Sequence, residues 1–249
     1  MCGIVAYIGN KPAQPLLLEG LKRLEYRGYD SAGIATINLD GNLQIAKAVG
    51  RVANLEAELV SIGGIQGTLG IAHTRWATHG AVNQLNAHPH RDRDHGISLI
   101  HNGIIENYAS LRKLLETKGQ VFETETDTEV LGMLISHFYD LESGMDLEKS
   151  VQAALREVRG AYAIAVICQE EPDVMVCARK GSPLLIGIGN GEYIVASDPS
   201  AIISHASTAI TLDDYSVARL TRDGFRTTTV DNVELSPKIM QLEMDLEEI

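Results

Sequence analysis

The order in which apolar segments follow one another restricts the folds open to this chain. Strand-like apolar runs occupy residues 3–8 and 31–38, and short apolar or alternating runs fill the last third. The middle of the chain, as over residues 107–118, carries leucines at the spacing of an amphipathic helix. Blocks of strands, helices and strands predict mixed sheets layered with helices, which is an α+β architecture.

Local signals predict several individual elements. Helices are expected over residues 15–25 and 53–60, and a strand over 67–73. The spacing of Thr126 and Glu129 is that of a helix capping box, and Asp146 can cap a further helix. The glycine-rich segment 187–191 resembles a phosphate-binding loop, but a strand follows it rather than a helix. We therefore interpret that segment as a hairpin turn.

Composition excludes several classes of protein. The 249 residues are 45% hydrophobic and 22% charged, which is ordinary globular usage and argues against a disordered chain. The net charge of −12 would repel a nucleic-acid backbone and an anionic membrane surface, so neither partner is expected. The apolar N-terminus is nine residues long, and the chain lacks a run of about 20 apolar residues that could span a membrane. We expect a soluble, cytoplasmic protein.

The three cysteines divide into two kinds. An odd number is a poor disulfide framework and favours a reducing compartment. Cys168 and Cys177 lie in apolar runs and are predicted to be small core residues. Cys2 follows an initiator methionine that is commonly removed before a small residue. Cys2 would then carry a thiol beside its own α-amine, whose pKa of about 7.7–8.0 suits a base. A buried N-terminal cysteine without a chemical role is the alternative.

Three polar segments admit both a structural and a functional interpretation. Residues 27–33 (RGYDSAG) can be a polar turn with an ion pair or part of a site. Residues 73–80 (HTRWATHG), with 86–90 (NAHPH), carry four of the eight histidines. Neither the spacing of a helix-borne zinc site nor paired cysteines occurs there, so no metal is expected. An arginine in a turn-rich loop is better suited to binding a carboxylate.

Three further segments stay open on local grounds. Asn102-Gly103 between apolar arms is a strong type I′ hairpin signal, yet a side-chain amide beside an exposed N–H can also form an oxyanion hole. Helix capping by itself is enough to explain residues 125–128. Residues 236–249 place Ile239, Leu242, Leu246 and Ile249 on one helical face. That pattern predicts either a packed terminal helix or, as we favour, the start of a linker.

Taken in order, these motifs resemble one family. The segments CGIV, RLEYRGYDSAG, GIAHTRWATHG, NAHPH, HNGIIENY and ETDTEV are similar to those of the glutaminase (class II glutamine amidotransferase) domains of glutamine–fructose-6-phosphate aminotransferases. The resemblance covers residues 2–230 and is most specific over 23–130. It implies the four-layer αββα sandwich of N-terminal nucleophile hydrolases, with residues 1–235 as the glutaminase domain and 236–249 as the start of an interdomain linker.

The resemblance also implies roles for individual residues in hydrolysis of the L-glutamine side-chain amide. Cys2 would be the nucleophile that forms a thioester, with the Asn102 side chain and the Gly103 N–H as its oxyanion hole. Arg27 would orient the N-terminus. Arg75 would bind the substrate carboxylate and Asp127 its ammonium group. Further glutamine contacts are expected from Trp76, Thr78, His79 and Gly103. Segment 75–83 would be a lid that excludes water. No cofactor is implied.

In the full-length relatives of this kind, sugar isomerase domains follow the glutaminase domain and use its ammonia to convert fructose 6-phosphate to glucosamine 6-phosphate. The resemblance therefore implies that such domains are missing from this sequence and that the complete protein is a homo-oligomer. Two alternatives stay open. One is the glutaminase half of another N-terminal cysteine amidotransferase, such as the phosphoribosylpyrophosphate type. The other is a silent glutamine-binding module.

Overall fold

The structure is a computed structural model that describes residues 2–38, 40–76 and 80–242. Within these ranges the chain forms fifteen strands and five α-helices. The strands are β1 (Gly3–Ile8), β2 (Ser31–Ile37), β3 (Leu43–Val49), β4 (Leu69–Arg75), β5 (His90–Arg91), β6 (Ile97–Ile105), β7 (Gly160–Cys168), β8 (Glu171–Lys180), β9 (Leu185–Ile188), β10 (Tyr193–Ala196), β11 (Thr208–Thr211), β12 (Ser216–Thr221), β13 (Gly224–Thr229), β14 (Glu234–Leu235) and β15 (Ile239–Gln241). The helices are α1 (Ala13–Leu24), α2 (Val52–Ser61), α3 (Tyr108–Thr117), α4 (Asp127–Phe138) and α5 (Leu147–Glu157).

Two antiparallel sheets form the centre of the fold. The first sheet has the strand order β15-β11-β9-β10-β1-β4-β2-β3, and the second has the order β14-β13-β12-β8-β7-β6-β5. Helices α1 and α2 pack on the outer face of the first sheet, while α3, α4 and α5 cover the second. The inner faces of the two sheets meet in a third apolar cluster. The predicted four-layer αββα sandwich is thereby confirmed.

This layering explains why the central strands are apolar at nearly every position. In β1, Val5 and Tyr7 face the helices, whereas Ile4, Ala6 and Ile8 face the other sheet. The whole strand is buried, so both faces require apolar side chains. Strand β7 of the second sheet alternates between the two clusters in the same way. Cys168 and Cys177 are fully buried in these clusters, as predicted.

Both predicted helix caps form. The Thr126 hydroxyl accepts a hydrogen bond from the Glu129 N–H at 3.2 Å, and the Asp146 carboxylate accepts one from the Lys149 N–H at 2.9 Å. The Glu129 carboxylate reaches back to the N–H groups of Glu123 and Thr124, at 2.8 and 2.7 Å. This arrangement fixes the start of α4, where Asp127 is the first helical residue. The predicted hairpin at 187–191 is also confirmed, between β9 and β10.

Of the two alternatives for Asn102-Gly103, the hairpin does not occur. Residues Ile97–Ile105 form one continuous strand, β6, which pairs with β7 from Ile97 opposite Cys168 to Ile105 opposite Gly160. Gly103 does have a positive φ of 138°, which is the conformation that a glycine permits. The dipeptide therefore marks an unusual backbone conformation within a strand and not a reversal of the chain.

The helical spacing of residues 236–249 does not produce a helix where the structure describes this segment. Residues Ile239–Gln241 form β15, which pairs with β11 at the edge of the first sheet. An unpaired sheet edge offers a full row of backbone partners, whereas a short terminal helix would satisfy only its own. Leu246 and Ile249 lie outside the described residues. In the part of the chain that the structure covers, no helix has the length and apolar character needed to span a membrane.

Candidate active site

The fold brings together residues that are far apart in the sequence. Cys2 precedes β1, Arg75 ends the neighbouring strand β4, Asn102 lies on β6 of the second sheet, and Asp127 opens α4. These residues line one cavity of about 310 Å³, near the lower end of the roughly 300–1,000 Å³ typical of small-molecule sites. Its other lining residues are Arg27, His73, Trp76, His88, His101, Gly103, Ile104, Thr126, Thr128, Ser182 and Pro183.

The Cys2 thiol is held against the end of β4. Its sulfur accepts a hydrogen bond from the Trp76 N–H at 3.2 Å and lies 3.6 Å from the Trp76 carbonyl oxygen. Burial raises the pKa of the Cys2 thiol above its usual value, while the Trp76 N–H and the Arg75 charge act in the opposite direction. The thiol is therefore protonated at neutral pH, so nucleophilic attack by Cys2 requires a base.

Asn102 lies directly beside the cysteine. Its side-chain NH₂ donates to the Cys2 carbonyl oxygen at 3.0 Å, and its side-chain oxygen lies 2.9 Å from His73 Nε2. The backbone of Gly103 follows a path that no side chain fits, because a Cβ there would lie 2.0 Å from the Ala161 carbonyl oxygen. An amide NH₂ and a glycine backbone thus meet at the wall of the cavity that holds the thiol.

Arg75 and Asp127, two buried side chains of opposite charge, also line the cavity. Arg75 is 4% exposed, and its guanidinium donates to the Ala81 carbonyl oxygen at 3.4 Å. Asp127 is 6% exposed and accepts a hydrogen bond from the Ile105 N–H at 2.8 Å. The N-terminus of α4 favours negative charge at Asp127, because the helix dipole is positive there. Opposite charges in one small cavity match a zwitterion such as a free amino acid.

Two more predicted residues lie on the wall of the same cavity. Arg27 donates to the Ser197 carbonyl oxygen at 3.1 Å and forms an ion pair with Asp198 at 3.0 Å. For residues 27–33 the sequence left two alternatives, a polar turn with an ion pair and part of a site. Both occur, because Arg27 forms the ion pair and also lines the cavity. Trp76 is half-exposed and meets the Tyr29 ring edge to face, with ring centroids 5.6 Å apart.

Thr78 and His79 lie outside the described residues, so their predicted glutamine contacts stay predictions. The described end of the predicted lid is tied to the neighbouring chain. The Ala81 N–H donates to the Glu125 carboxylate at 3.0 Å, and the Asn86 amide joins Glu125 to the Ala81 carbonyl oxygen. Closure of segment 75–83 over the cavity likewise stays a prediction.

Sequence reasoning did not find a group of four buried histidines, three of which line the cavity. We call them the histidine cluster: His73, His88, His90 and His101. The rings of His73 and His88 are stacked, with centroids 4.2 Å apart, and His90 meets His88 edge to face at 4.8 Å. Burial lowers the pKa of His73 to about 3 and holds the pKa values of the other three below the usual range. The sequence motifs indicate His73, His88 and His90 only as candidate metal ligands. Among the described residues, no group of His, Cys, Asp and Glu is arranged to hold a metal ion.

Solved structures share this fold. Glutamine phosphoribosylpyrophosphate (PRPP) amidotransferase from B. subtilis, in complex with ADP and GMP, superposes with a TM-score of 0.79 at 26% identity, over 92% of this chain and 49% of that one. A glutamine aminotransferase class-II domain protein from Silicibacter pomeroyi gives a TM-score of 0.60 at 18% identity, over 92% of this chain and 99% of its own. The fold is thus the sandwich of the N-terminal nucleophile hydrolases.

Sequence comparison then narrows the class. Residues 63–243 match the model of the glutamine amidotransferase domain family, so the chain belongs to that family. It is 50% identical over 252 residues to glutamine–fructose-6-phosphate aminotransferase [isomerizing] of Chlorobaculum tepidum, across all of this chain and 41% of the relative. The enzyme of the same name from Bacteroides thetaiotaomicron is 48% identical across 99% of this chain and 40% of its own. The chain therefore spans about two fifths of the length of these curated relatives.

Proposed function

We propose that this domain hydrolyses the side-chain amide of L-glutamine to glutamate and ammonia, with Cys2 as the nucleophile. The observation that carries the proposal is the convergence of Cys2, Asn102, Arg75 and Asp127 on one cavity of about 310 Å³. Free glutamine has an α-carboxylate, an α-ammonium group and a side-chain amide. A guanidinium, a carboxylate and a thiol are the matching groups.

In the proposed reaction, the Cys2 sulfur attacks the amide carbon while the thiol proton passes to the α-amine that removal of Met1 exposes. The carbonyl oxygen becomes an oxyanion, which the Asn102 NH₂ and the Gly103 N–H stabilise. The tetrahedral intermediate collapses when the amine returns the proton to the leaving nitrogen. This step breaks the C–N bond, releases ammonia and leaves a thioester on Cys2, which water hydrolyses to glutamate and the free thiol.

Recognition of free glutamine is assigned to the two buried charges. Arg75 pairs with the α-carboxylate, since a guanidinium can donate two parallel hydrogen bonds to it. Asp127 accepts from the α-ammonium group, and Trp76, Thr78 and His79 complete the pocket. Arg27 holds the N-terminal segment in place through its pairing with Asp198. Glutamine within a peptide lacks both charged α-groups, so this pocket would reject it.

For the complete protein, we propose that the ammonia converts fructose 6-phosphate to glucosamine 6-phosphate in sugar isomerase domains of the same polypeptide. The proposal is supported by the names of relatives at 50% and 48% identity and by the two fifths of their length that this chain spans. In this scheme residues 1–235 are the glutaminase domain and 236–249 begin the linker, although its residues Ile239–Gln241 still pair with β11 at the edge of the first sheet. The phosphoribosylpyrophosphate alternative has less support, because those structures are 26% identical to this chain.

The test is release of glutamate from free glutamine by the purified protein, after intact-mass measurement has established whether Met1 is present. Cys2→Ala should abolish the release, whereas the matched variant Cys168→Ala should retain it. An electrophilic glutamine analogue should label Cys2 and spare Cys168 and Cys177, which are fully buried. Unchanged activity in Cys2→Ala would refute the mechanism. Glutamine binding without glutamate release, by protein that lacks Met1, would instead support the silent binding module.

A further inference from the structure

The histidine cluster contains a side chain whose hydrogen bonding is unbalanced. His73 is 1% exposed, and its Nε2 lies 2.9 Å from the side-chain oxygen of Asn102. The other ring nitrogen of His73, Nδ1, is buried and has no hydrogen-bond partner among the described residues. A buried polar atom without a partner destabilises a fold, so its presence at this position calls for an explanation.

The hydrogen bond with Asn102 determines the protonation state of the His73 ring. An amide oxygen only accepts hydrogen bonds, so His73 Nε2 must carry the proton and donate it to Asn102. Burial holds the pKa of His73 at about 3, so the ring is neutral at physiological pH and Nδ1 is unprotonated. An unprotonated Nδ1 is an acceptor without a donor, which is less costly than a buried N–H or an unpaired charge.

The bond from His73 also determines which way the Asn102 amide faces. In the orientation present, the NH₂ group of Asn102, which lines the cavity, donates to the Cys2 carbonyl oxygen at 3.0 Å. Rotating the amide by a half-turn would place its oxygen against that carbonyl oxygen, so two acceptors would face each other. It would also place the NH₂ against the Nε2–H of His73, so two donors would meet.

The rest of the cluster keeps the His73 ring in place. The stacked ring of His88 accepts the His101 N–H on Nδ1, so its proton is on Nε2, which points at the Thr128 hydroxyl at 3.3 Å. Thr128 then donates to His101 Nδ1 at 3.1 Å, and His101 Nε2 faces the Ala161 carbonyl oxygen at 3.5 Å. Each hydrogen bond from His88 through Thr128 and His101 to Ala161 then has one donor and one acceptor. Neutral rings of His88 and His101, each protonated at Nε2, therefore satisfy this chain of contacts.

We propose that His73 is a positioning residue, whose Nε2–H holds the Asn102 amide with its NH₂ toward the oxyanion of the reacting glutamine. The inference deepens the proposed function and rests on it. His73 does not exchange protons with the substrate. It prevents the rotated orientation of the Asn102 amide, which would present the amide oxygen to the developing negative charge.

The first test compares two substitutions that differ in one hydrogen-bond donor. His73→Phe removes the donor and keeps a ring, while His73→Gln places an amide N–H where Nε2 lies. We expect His73→Phe to lower kcat by about tenfold to a hundredfold with KM within about threefold, because complete loss of an oxyanion donor costs about 10²–10³. His73→Gln should recover most of the loss. Equal losses in the two variants, with both folded by circular dichroism, would overturn the inference.

The second test asks whether His73 acts through Asn102. In an Asn102→Ala background there is no amide left to orient, so adding His73→Phe should change kcat by less than about twofold. A further loss as large as that in the wild-type background would mean that His73 acts by another route and would overturn the inference.

The third test requires no turnover and remains informative if His73→Phe does not fold. Nitrogen-15 NMR of histidine-labelled wild-type protein should show His73 protonated at Nε2 and bare at Nδ1 at neutral pH. The opposite tautomer, or a charged ring, in an enzyme that hydrolyses glutamine would refute the role of His73 alone. A wild-type protein that lacks Met1 and releases no glutamate would refute the proposed function, whatever the tautomer.

Discussion

Replacing Gly103 with alanine tests both the strand geometry and the proposed oxyanion hole. The new Cβ would lie 2.0 Å from the Ala161 carbonyl oxygen, whereas ordinary contact begins at 3.4 Å, so β6 and β7 must move apart by more than 1 Å. Overpacking of this kind costs about 1–3 kcal/mol, and the φ of 138° adds about 1–3 kcal/mol for a residue with a side chain. We therefore expect Gly103→Ala to lower the free energy of unfolding by about 2–6 kcal/mol.

The same displacement should lower activity more than it lowers glutamine binding. A misplacement of about 1 Å at a reacting centre can cost about 10²-fold in rate, so kcat should fall by about that factor while KM changes little. Urea unfolding followed by circular dichroism gives the stability, and glutamate release at saturating glutamine gives kcat.

Gly119→Ala is the matched control. Gly119 also has a positive φ, of 91°, but a Cβ there would meet no atom within 4 Å, and the residue lies beyond α3, away from the cavity. This control should show the backbone strain without the collision and without a change in kcat. If Gly103→Ala matched Gly119→Ala in both stability and kcat, the close approach of β7 and the role of Gly103 would both be refuted.

Three other perturbations have defined outcomes. Thr126→Ala, at the cap of α4, and Asp146→Ala, at the cap of α5, should each lower the free energy of unfolding by about 0.5–2 kcal/mol. Only Thr126→Ala should also alter KM for glutamine, because α4 carries Asp127. Asp127→Asn should raise KM for glutamine by about tenfold to a hundredfold, since a hydrogen bond to a charged group contributes about 1.5–3 kcal/mol; steady-state kinetics with an unchanged KM would contradict this. The histidine cluster stays neutral in the folded protein, whereas the same histidines take up protons near pH 6.5 in the unfolded chain. The free energy of unfolding should therefore fall as the pH falls below that value, by up to about 1.4 kcal/mol per histidine per pH unit. Urea titrations that give equal stability at about pH 7 and about pH 5 would refute this prediction.

The elements that sequence reasoning predicted well are those whose signal is local. The Thr126 cap, the Asp146 cap and the fully apolar β1 each depend on neighbours within a few positions, and each occurs as expected. Local signals were insufficient where a distant partner decided the outcome. Asn102-Gly103 stays extended because β7 pairs along its whole length, and Ile239–Gln241 is a strand because β11 provides an edge.

The candidate site shows the same division. Motifs identified Cys2, Arg75, Asn102 and Asp127 by residue type and order, and the fold places them around one cavity. The histidine cluster was missed because the partners of its members lie on elements that are distant in the sequence: Asn102 on β6, Thr128 on α4 and Ala161 on β7. A histidine in an apolar run indicates burial, but which of its nitrogens has a partner depends on the packing of β4, β6 and α4.

The histidine cluster also joins two parts of the proposed mechanism that would otherwise be independent. Thr128, which bonds His88 and His101, is adjacent in α4 to Asp127, the proposed acceptor for the substrate ammonium group. His101 is adjacent in β6 to Asn102, the proposed oxyanion donor. A shift of α4 would therefore move both the charge that holds one end of glutamine and the chain of contacts that supports the donor at the other end. Substitutions at Asp127 and His73, although chemically unrelated, should then be non-additive, because both act on one buried network.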